Sequence, residues 1–196
     1  MKKYTPNSNE TIPGVTFVWS DVPEDENIIE IGETVIFRPP CILYHGVKIG
    51  NNCTISHNSI IQANTIIGHH TKIGNGSNLE RDLKIGNHVS IHSLCQISKG
   101  TTIEDNVFVG PGTITFSAKR IRHGRDFPLV EKGPHIKFAA RIGPATTIYF
   151  NVTIGRETAI GAGSVVTQDI PDYKIASGSP AKVVKTIPGD ELFSKS

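Results

Sequence analysis

The chain has 196 residues, of which 37% are hydrophobic and 19% charged, with 20 basic and 18 acidic side chains giving a formal net charge of +2. That length supports one domain with a substantial core. The near balance of charge, with no run of like charges, argues against a nucleic-acid partner, and no apolar stretch reaches the roughly 20 residues that a membrane-spanning helix needs.

Residues 1–27 carry Trp19 and three prolines but no repeat, which predicts an N-terminal cap. The opening MKKYTPNSNETIPG lacks the apolar centre of a secretory signal, so a cytoplasmic location is expected. From Ile31 onward every sixth residue is large and apolar: Ile31, Phe37, Leu43, Ile49, Ile55, Ile61, Ile67, Ile73, Leu79, Ile85, Ile91, Ile97, Ile103 and Val109. Glycine often follows, as at Gly32, Gly50, Gly68, Gly74, Gly86 and Gly110, and then turn formers such as Asn51-Asn52 and Asp105-Asn106. A helix repeats near 3.6 and a strand at 2, so a period of six predicts short strands joined by corners. Three such units make a triangular coil of about eighteen residues, stacked on the next at the sheet spacing of about 4.8 Å. Cys41, Cys53 and Cys95 each fall two residues before a core position, a slot held elsewhere by Ser, Thr, Val or Ala, and are read as reduced packing residues.

The pattern breaks near Thr115, and residues 116–135, FSAKRIRHGRDFPLVEKGPH, form an excursion of about twenty residues. An insertion of that length inside a compact domain is commonly functional. It sets Lys119, Arg120, Arg122, Arg125 and Lys132 against Asp126 and Glu131, a balance that suits an anionic ligand. Arg120, Arg122 and Arg125 are therefore candidate substrate contacts. The repeat resumes at Ile136 and continues through Ile142, Ile148, Ile154, Ile160 and Val166. With these positions the solenoid has about seven coils and a length of roughly 30 Å. The repeat domain is placed at 28–187, and residues 188–196 are a tail with a short helix after Pro188.

His57, His69, His70 and His88 fall at corners. His70 and His88 lie one coil apart between Asn52 and Asn106, a column read as stacked corner residues. His92 occupies a slot that Gly74 and Gly110 hold one coil away, so its ring is expected on an outer surface, lining a substrate cleft between subunits as a candidate substrate contact. His135 closes the excursion.

The unit [LIV]-[GA]-x-x-[STV]-x resembles the hexapeptide-repeat acyltransferases, and the resemblance covers residues 28 to about 187. IGRETAIGAGSVVTQDIPDYKIASGSPAKVVKTI (154–187) is similar to the C-terminal signature of the members that use coenzyme A. KIGNNCTISHNSII and SKGTTIEDNVFVGPGTITF most resemble the nucleotide-sugar N-acetyltransferases. The resemblance implies an all-β, left-handed parallel β-helix, a homotrimer, and acetyl-CoA as co-substrate. It implies cofactor contacts at Gly143, Gly161, Ala162, Ala176, Lys182 and Lys185. PGTITFSAKRIRHG resembles the loop that carries the catalytic histidine in sugar and antibiotic O-acetyltransferases, making His123 the first candidate for general base and His92 the second. Ser117-Ala118 replaces an Asn-Asp pair common in the nucleotide-sugar subgroup, which keeps an O-acetyltransferase open as the alternative. The Gln-Asp-x-x-x-x-His stretch of the six-residue-repeat carbonic anhydrases is missing, so no metal is expected. The remaining rival is a β-helix serving only as a scaffold.

Overall fold

The computed structural model describes residues 1–7, 10–23 and 25–193. Positions 8, 9 and 24 of the expected cap and 194–196 of the expected tail lie outside the described residues.

Period six becomes a three-sided coil because each unit is a two- or three-residue strand followed by a tight corner. The strands from Ile29–Ile31 to Val165–Val166 pass in rotation through three sheets, giving seven complete coils with partial turns at both ends. In the first sheet Ile49, Ile67 and Ile85 are direct partners; in the second, Ile55, Ile73 and Ile91; in the third, Ile61, Leu79 and Ile97. All nine are buried. Backbone N–H groups donate to the next coil throughout, as from Lys48 to Thr65 at 2.9 Å and from Gly50 to Ile67 at 2.8 Å.

The corners explain the polar residues of the repeat. Asn52, His70, His88 and Asn106 have φ of +58°, +57°, +55° and +61°, the left-handed region where Asn and His are enriched among side-chain-bearing residues. The rings of His70 and His88 stack 4.8 Å apart with 3° between their planes. The glycine slot has a different cause. A Cβ on Gly50 would meet the Gly68 carbonyl carbon and the His69 nitrogen at 2.8 Å, so a side chain there would pry the coils apart.

The small slot before each core residue is an internal hydrogen-bond column. Thr71 Oγ1 donates to the Gly86 carbonyl at 2.9 Å and Ser77 Oγ to that of His92 at 2.9 Å. The thiols of Cys53 and Cys95 make the same contact with Gly68 at 3.0 Å and Gly110 at 3.3 Å. The three cysteines are free and buried, and burial pushes each thiol pKa up. They are packing residues that stand in for serine or threonine.

The ends depart from the repeat. Lys2–Tyr4 runs antiparallel along Ile29–Ile31, and Val15–Val18 runs parallel beside Cys41–Tyr44, with the Tyr4 and Phe17 rings 4.9 Å apart. At the far end Lys174–Gly178 joins Ala159–Ile160 in parallel and folds back as a hairpin with Ala181–Thr186. The expected tail helix is a single 3-10 turn, Gly189–Glu191. Beyond it Phe193 lies edge-on to Phe138 at 5.4 Å, and its N–H donates to Glu157 at 2.8 Å. Among the described residues no helix is long and apolar enough to cross a membrane.

Candidate functional site

One corner of the prism gathers most of the chemistry. It follows the second sheet, and the residue just past each strand forms a column along it: Arg38, Ser56, Gly74, His92, Gly110, Gly143 and Gly161. The backbone of His92 is held closely. Its N–H donates to Val109 at 2.9 Å, its carbonyl accepts from Ser77 Oγ, and a Cβ on Gly74 would collide with its carbonyl carbon. Gly74 therefore lets the coil close beneath His92, while the imidazole projects outward. Its ring sits 4.8 Å from that of Phe108, at 56°. It lines an open groove of about 460 Å³ with Arg38, Thr54, Ser56, Lys72 and Ser90.

The excursion is an ordered arm. Lys119 N–H donates to Val130 at 2.9 Å and Lys132 N–H to Ser117 at 2.7 Å, so its two limbs pair as a short stem. Lys99 ties the stem to the coil through Glu131 at 3.0 Å. The tip turns at Gly124, with φ of +73°, where Arg125 Nη1 donates to the His123 carbonyl at 2.7 Å and Arg122 Nε to the Arg125 carbonyl at 3.2 Å. Arg120 lies over the Phe127 ring at 4.3 Å. His123, Arg122 and Arg125 thus share an exposed hollow lined only by residues 122–126. Arg120, Arg122 and Arg125 hold the arm's own shape, and nothing of the coil faces His123 in that hollow.

The structure sets the two candidate bases apart. His92 stands at the corner between the second and third sheets, whereas the arm leaves between the third and first. Within one chain the whole third face separates them, although they occupy adjoining coils.

The expected cofactor positions divide into three groups. Gly143 and Gly161 share the His92 corner, two and three coils further on. A Cβ on Gly143 would meet the Ala162 nitrogen at 2.6 Å and one on Gly161 the Ser177 Cβ at 2.8 Å, so coil stacking alone demands glycine there. Ala162 is exposed beside them, and Lys182 and Lys185 are exposed on the outer strand of the terminal hairpin. Ala176 needs correction. It pairs with Ile160 in the inner column and is 0% exposed, so its side chain has no surface to offer a cofactor.

Two further clusters are weaker candidates. His135 Nε2 lies 2.7 Å from Glu104 Oε1, while Glu104 Oε2 accepts from the Phe138 N–H at 2.8 Å; this pair braces the first face where the arm rejoins the coil. A hollow of about 540 Å³ lies under the tail, but its Arg141 is paired with Glu191 at 3.2 Å. No cluster of three or more His, Cys, Asp or Glu able to hold a metal ion occurs among the described residues.

The sequence reading passed over Arg38, Lys72 and Leu94. Steps of eighteen from His92 lead back through Gly74 and Ser56 to Arg38, a signal present in the numbering. Leu94 holds φ of +60° and is 69% exposed, at a corner where Asn58, Gly76 and Gly112 stand in other coils. Leucine in a left-handed corner costs of the order of 1 kcal/mol.

Known proteins carry the same repeat. The family described as bacterial transferase hexapeptide (six repeats) matches residues 46–81 and 82–115. A provisionally named acetyltransferase of Staphylococcus aureus (strain COL) is 40% identical over 114 residues, which is 56% of this chain and 57% of that protein. The bifunctional protein GlmU of Thermotoga maritima is 33% identical over 153 residues, covering 70% of this chain and 32% of GlmU. The chain thus spans little more than half the length of the first relative and a third of the second. A hexapeptide-repeat acetyltransferase of Vibrio cholerae, solved with acetyl-CoA, superposes with a TM-score of 0.57 at 26% identity over 62% of this chain and 70% of that one. AntD, an N-acyltransferase of Bacillus cereus solved with dTDP and coenzyme A, gives 0.53 at 21% identity over 82% and 85%, a likeness of fold. Residues 46–115 of the chain thus carry the hexapeptide repeat of the bacterial transferases, and the coil built from it shares its fold with these acetyl- and acyltransferases.

Proposed function

We propose that the protein is a coenzyme A-dependent acetyltransferase whose acceptor is a nucleotide-linked amino sugar. The carrying observation is the order of residues along one corner and the sheet face beside it: cations at Arg38 and Lys72, an imidazole at His92, then the partly exposed backbone of Gly143 and Gly161. An acceptor at the basic end and a thioester arm laid along the glycines would meet at His92. The acetyl-CoA of the Vibrio relative and the dTDP and coenzyme A of AntD lend support from their own sites.

The chemistry is direct transfer. The sugar amine attacks the thioester carbonyl, and a C–N bond forms. His92 takes the proton that the nitrogen sheds. A backbone N–H supplies a donor to the oxyanion. The tetrahedral species then expels the coenzyme A thiolate, breaking the C–S bond, and the thiolate is protonated. His123 is the second reading for the base, and acetyl transfer to a hydroxyl is the second reading for the acceptor. Acetyl-CoA consumption is expected with dTDP- or UDP-linked amino sugars and to be absent with their hydroxyl counterparts. Turnover confined to hydroxyl sugars would reverse the acceptor. An inert protein that also fails to bind acetyl-CoA in calorimetry would leave a scaffold.

The partner is two further copies of this chain, seated on the third face. The outward residues of that sheet are Thr16, Ile42, Ile60, Asn78, Gln96, Ile114, Thr147 and Val165, with no charge among them. The first sheet instead shows Glu30, Lys48, Lys84 and His135. Exposed Leu94 stands at the corner where the third face begins, and exposed Ile121 is carried on the arm that leaves where it ends. Packing it against a neighbour would bring the arm of one subunit to the His92 corner of the next. Sedimentation should give about three times the 21.2 kDa of one chain. Ile60→Glu with Ile114→Glu should reduce that mass; a double variant that remains at wild-type mass would place the contact elsewhere.

A further inference from the structure

We infer that the groove beside His92 is an anion subsite, in which Arg38 and Lys72 receive the phosphate groups of the acceptor. This rests on the proposed acetyl transfer at His92 for the identity of the acceptor, but not for the binding of the anion. The positive charge of the excursion pointed to the arm arginines for this task; the structure favours a different pair.

Charge is the first argument. The groove lining contains Arg38, Lys72 and His92, the hydroxyls of Thr54, Ser56, Ser90 and Ser93, and the amide of Asn75, with no carboxylate. Several exposed cations on the coil are matched, Lys48 with Glu30, Lys99 with Glu131, Lys137 with Asp172 and Arg141 with Glu191; of those that are not, Arg38 and Lys72 are the two that line this groove. Arg38 and Lys72 have no carboxylate partner among the described residues. Two unmatched cations facing a concave wall of hydroxyl donors form a receptor for a polyanion, since guanidinium, ammonium and hydroxyl groups all donate to phosphate oxygens.

Position is the second. Lys72 stands between Thr54 and Ser90 in the outward column of the second sheet, at the level of Gly74. Arg38 begins the corner column that Ser56 and Gly74 continue to His92. At about 4.8 Å per coil, Lys72 is one step and Arg38 three steps from His92, a spread of about 5 to 14 Å along the axis. A diphosphate joined to the reacting sugar needs that order: base at the sugar, cations beyond it.

The arm makes a poorer receptor. Arg122 and Arg125 donate to carbonyls of their own turn, Arg120 lies over Phe127, and Asp126 lines the same hollow.

The test is calorimetric titration of the full chain with inorganic pyrophosphate and with dTDP, free of any acyl donor. Both should bind, more weakly as salt rises. Arg38→Ala and Lys72→Ala should each weaken binding about tenfold, Arg38→Lys should recover part of the loss, and Arg122→Ala with Arg125→Ala should bind as wild type. A matching thermal midpoint in each variant keeps folding out of the comparison. Binding that persists in the Arg38→Ala, Lys72→Ala double variant, or that is lost only with the arm substitutions, overturns the subsite, as does a wild-type chain that binds neither anion. Arg38- and Lys72-dependent binding in a protein without acetyltransferase activity would uphold the subsite while removing the proposed reaction. Normal KM in both single variants of an active enzyme would do the reverse.

Discussion

Truncating Ile73 to alanine is expected to lower folding stability by about 2–5 kcal/mol, the range for deleting a large buried aliphatic side chain. Ile73 is 0% exposed, stacked between Ile55 and Ile91, and shares its coil with Ile67 and Leu79. Part of the loss is transfer free energy and part is the cavity. The cavity term should be near its upper end here. Walls of a solenoid cannot fall inward easily, because Lys72 and Ile73 are laddered to strands on both sides and their neighbours likewise. The effect should also spread along the axis, since each coil buries its apolar face only against the next. Urea unfolding followed by circular dichroism, at one fixed protein concentration so that the proposed association enters every measurement equally, gives the comparison. Lys84→Ala, on the outward first face, is the control and should shift stability by no more than about 0.5 kcal/mol. An Ile73→Ala midpoint equal to that of the control would mean the inner column is not what holds the coils together.

The coil was legible because its geometry forces a period. Every strand must send one large side chain inward at the same step, so Ile31 to Val109 appear at intervals of six with no exception. The corners were legible too, since left-handed backbone selects Asn, His and Gly at Asn52, His70, His88 and Gly112. What escaped notice was whatever happens once. The strand Lys2–Tyr4 and the hairpin at 174–186 have no second copy to reveal them. Ala176 came from the resemblance alone, and the repeat could not check it: the step from Ile160 to its inner partner is sixteen residues, not eighteen, so counting in coils no longer separates inner from outer. Arg38 and Lys72 looked like any cation beside an isoleucine or phenylalanine. Only the three-coil register places them with His92, and only side-chain positions show that no carboxylate accompanies them. The arm could be recognised as an insertion from the broken repeat, but not its paired limbs or the arginines that bond carbonyls of their own turn, because no period constrains it.

Replacing His92 with alanine is expected to reduce kcat by about 10²–10⁴-fold, the usual contribution of a positioned general base, and to leave the thermal midpoint unchanged because the imidazole is exposed. Two features favour His92 over His123. Its backbone is locked by Gly74, Ser77 and Val109, so the ring has a fixed origin, as proton transfer at hydrogen-bond distance requires. It also lies between the basic groove and the glycine corner, where an acceptor and a thioester would meet. His123 sits on a turn that, within one chain, lies across the third face from that groove. His123→Ala should therefore change kcat by less than about threefold, a loss too small for a missing base. His92→Gln keeps a hydrogen-bonding group but cannot accept and hold a proton, so it should be nearly as impaired as alanine. If instead His123→Ala abolishes turnover while His92→Ala works at a near-normal rate, the base lies on the arm, and the third-face packing that carries the arm to the neighbouring groove becomes the catalytic feature of the fold.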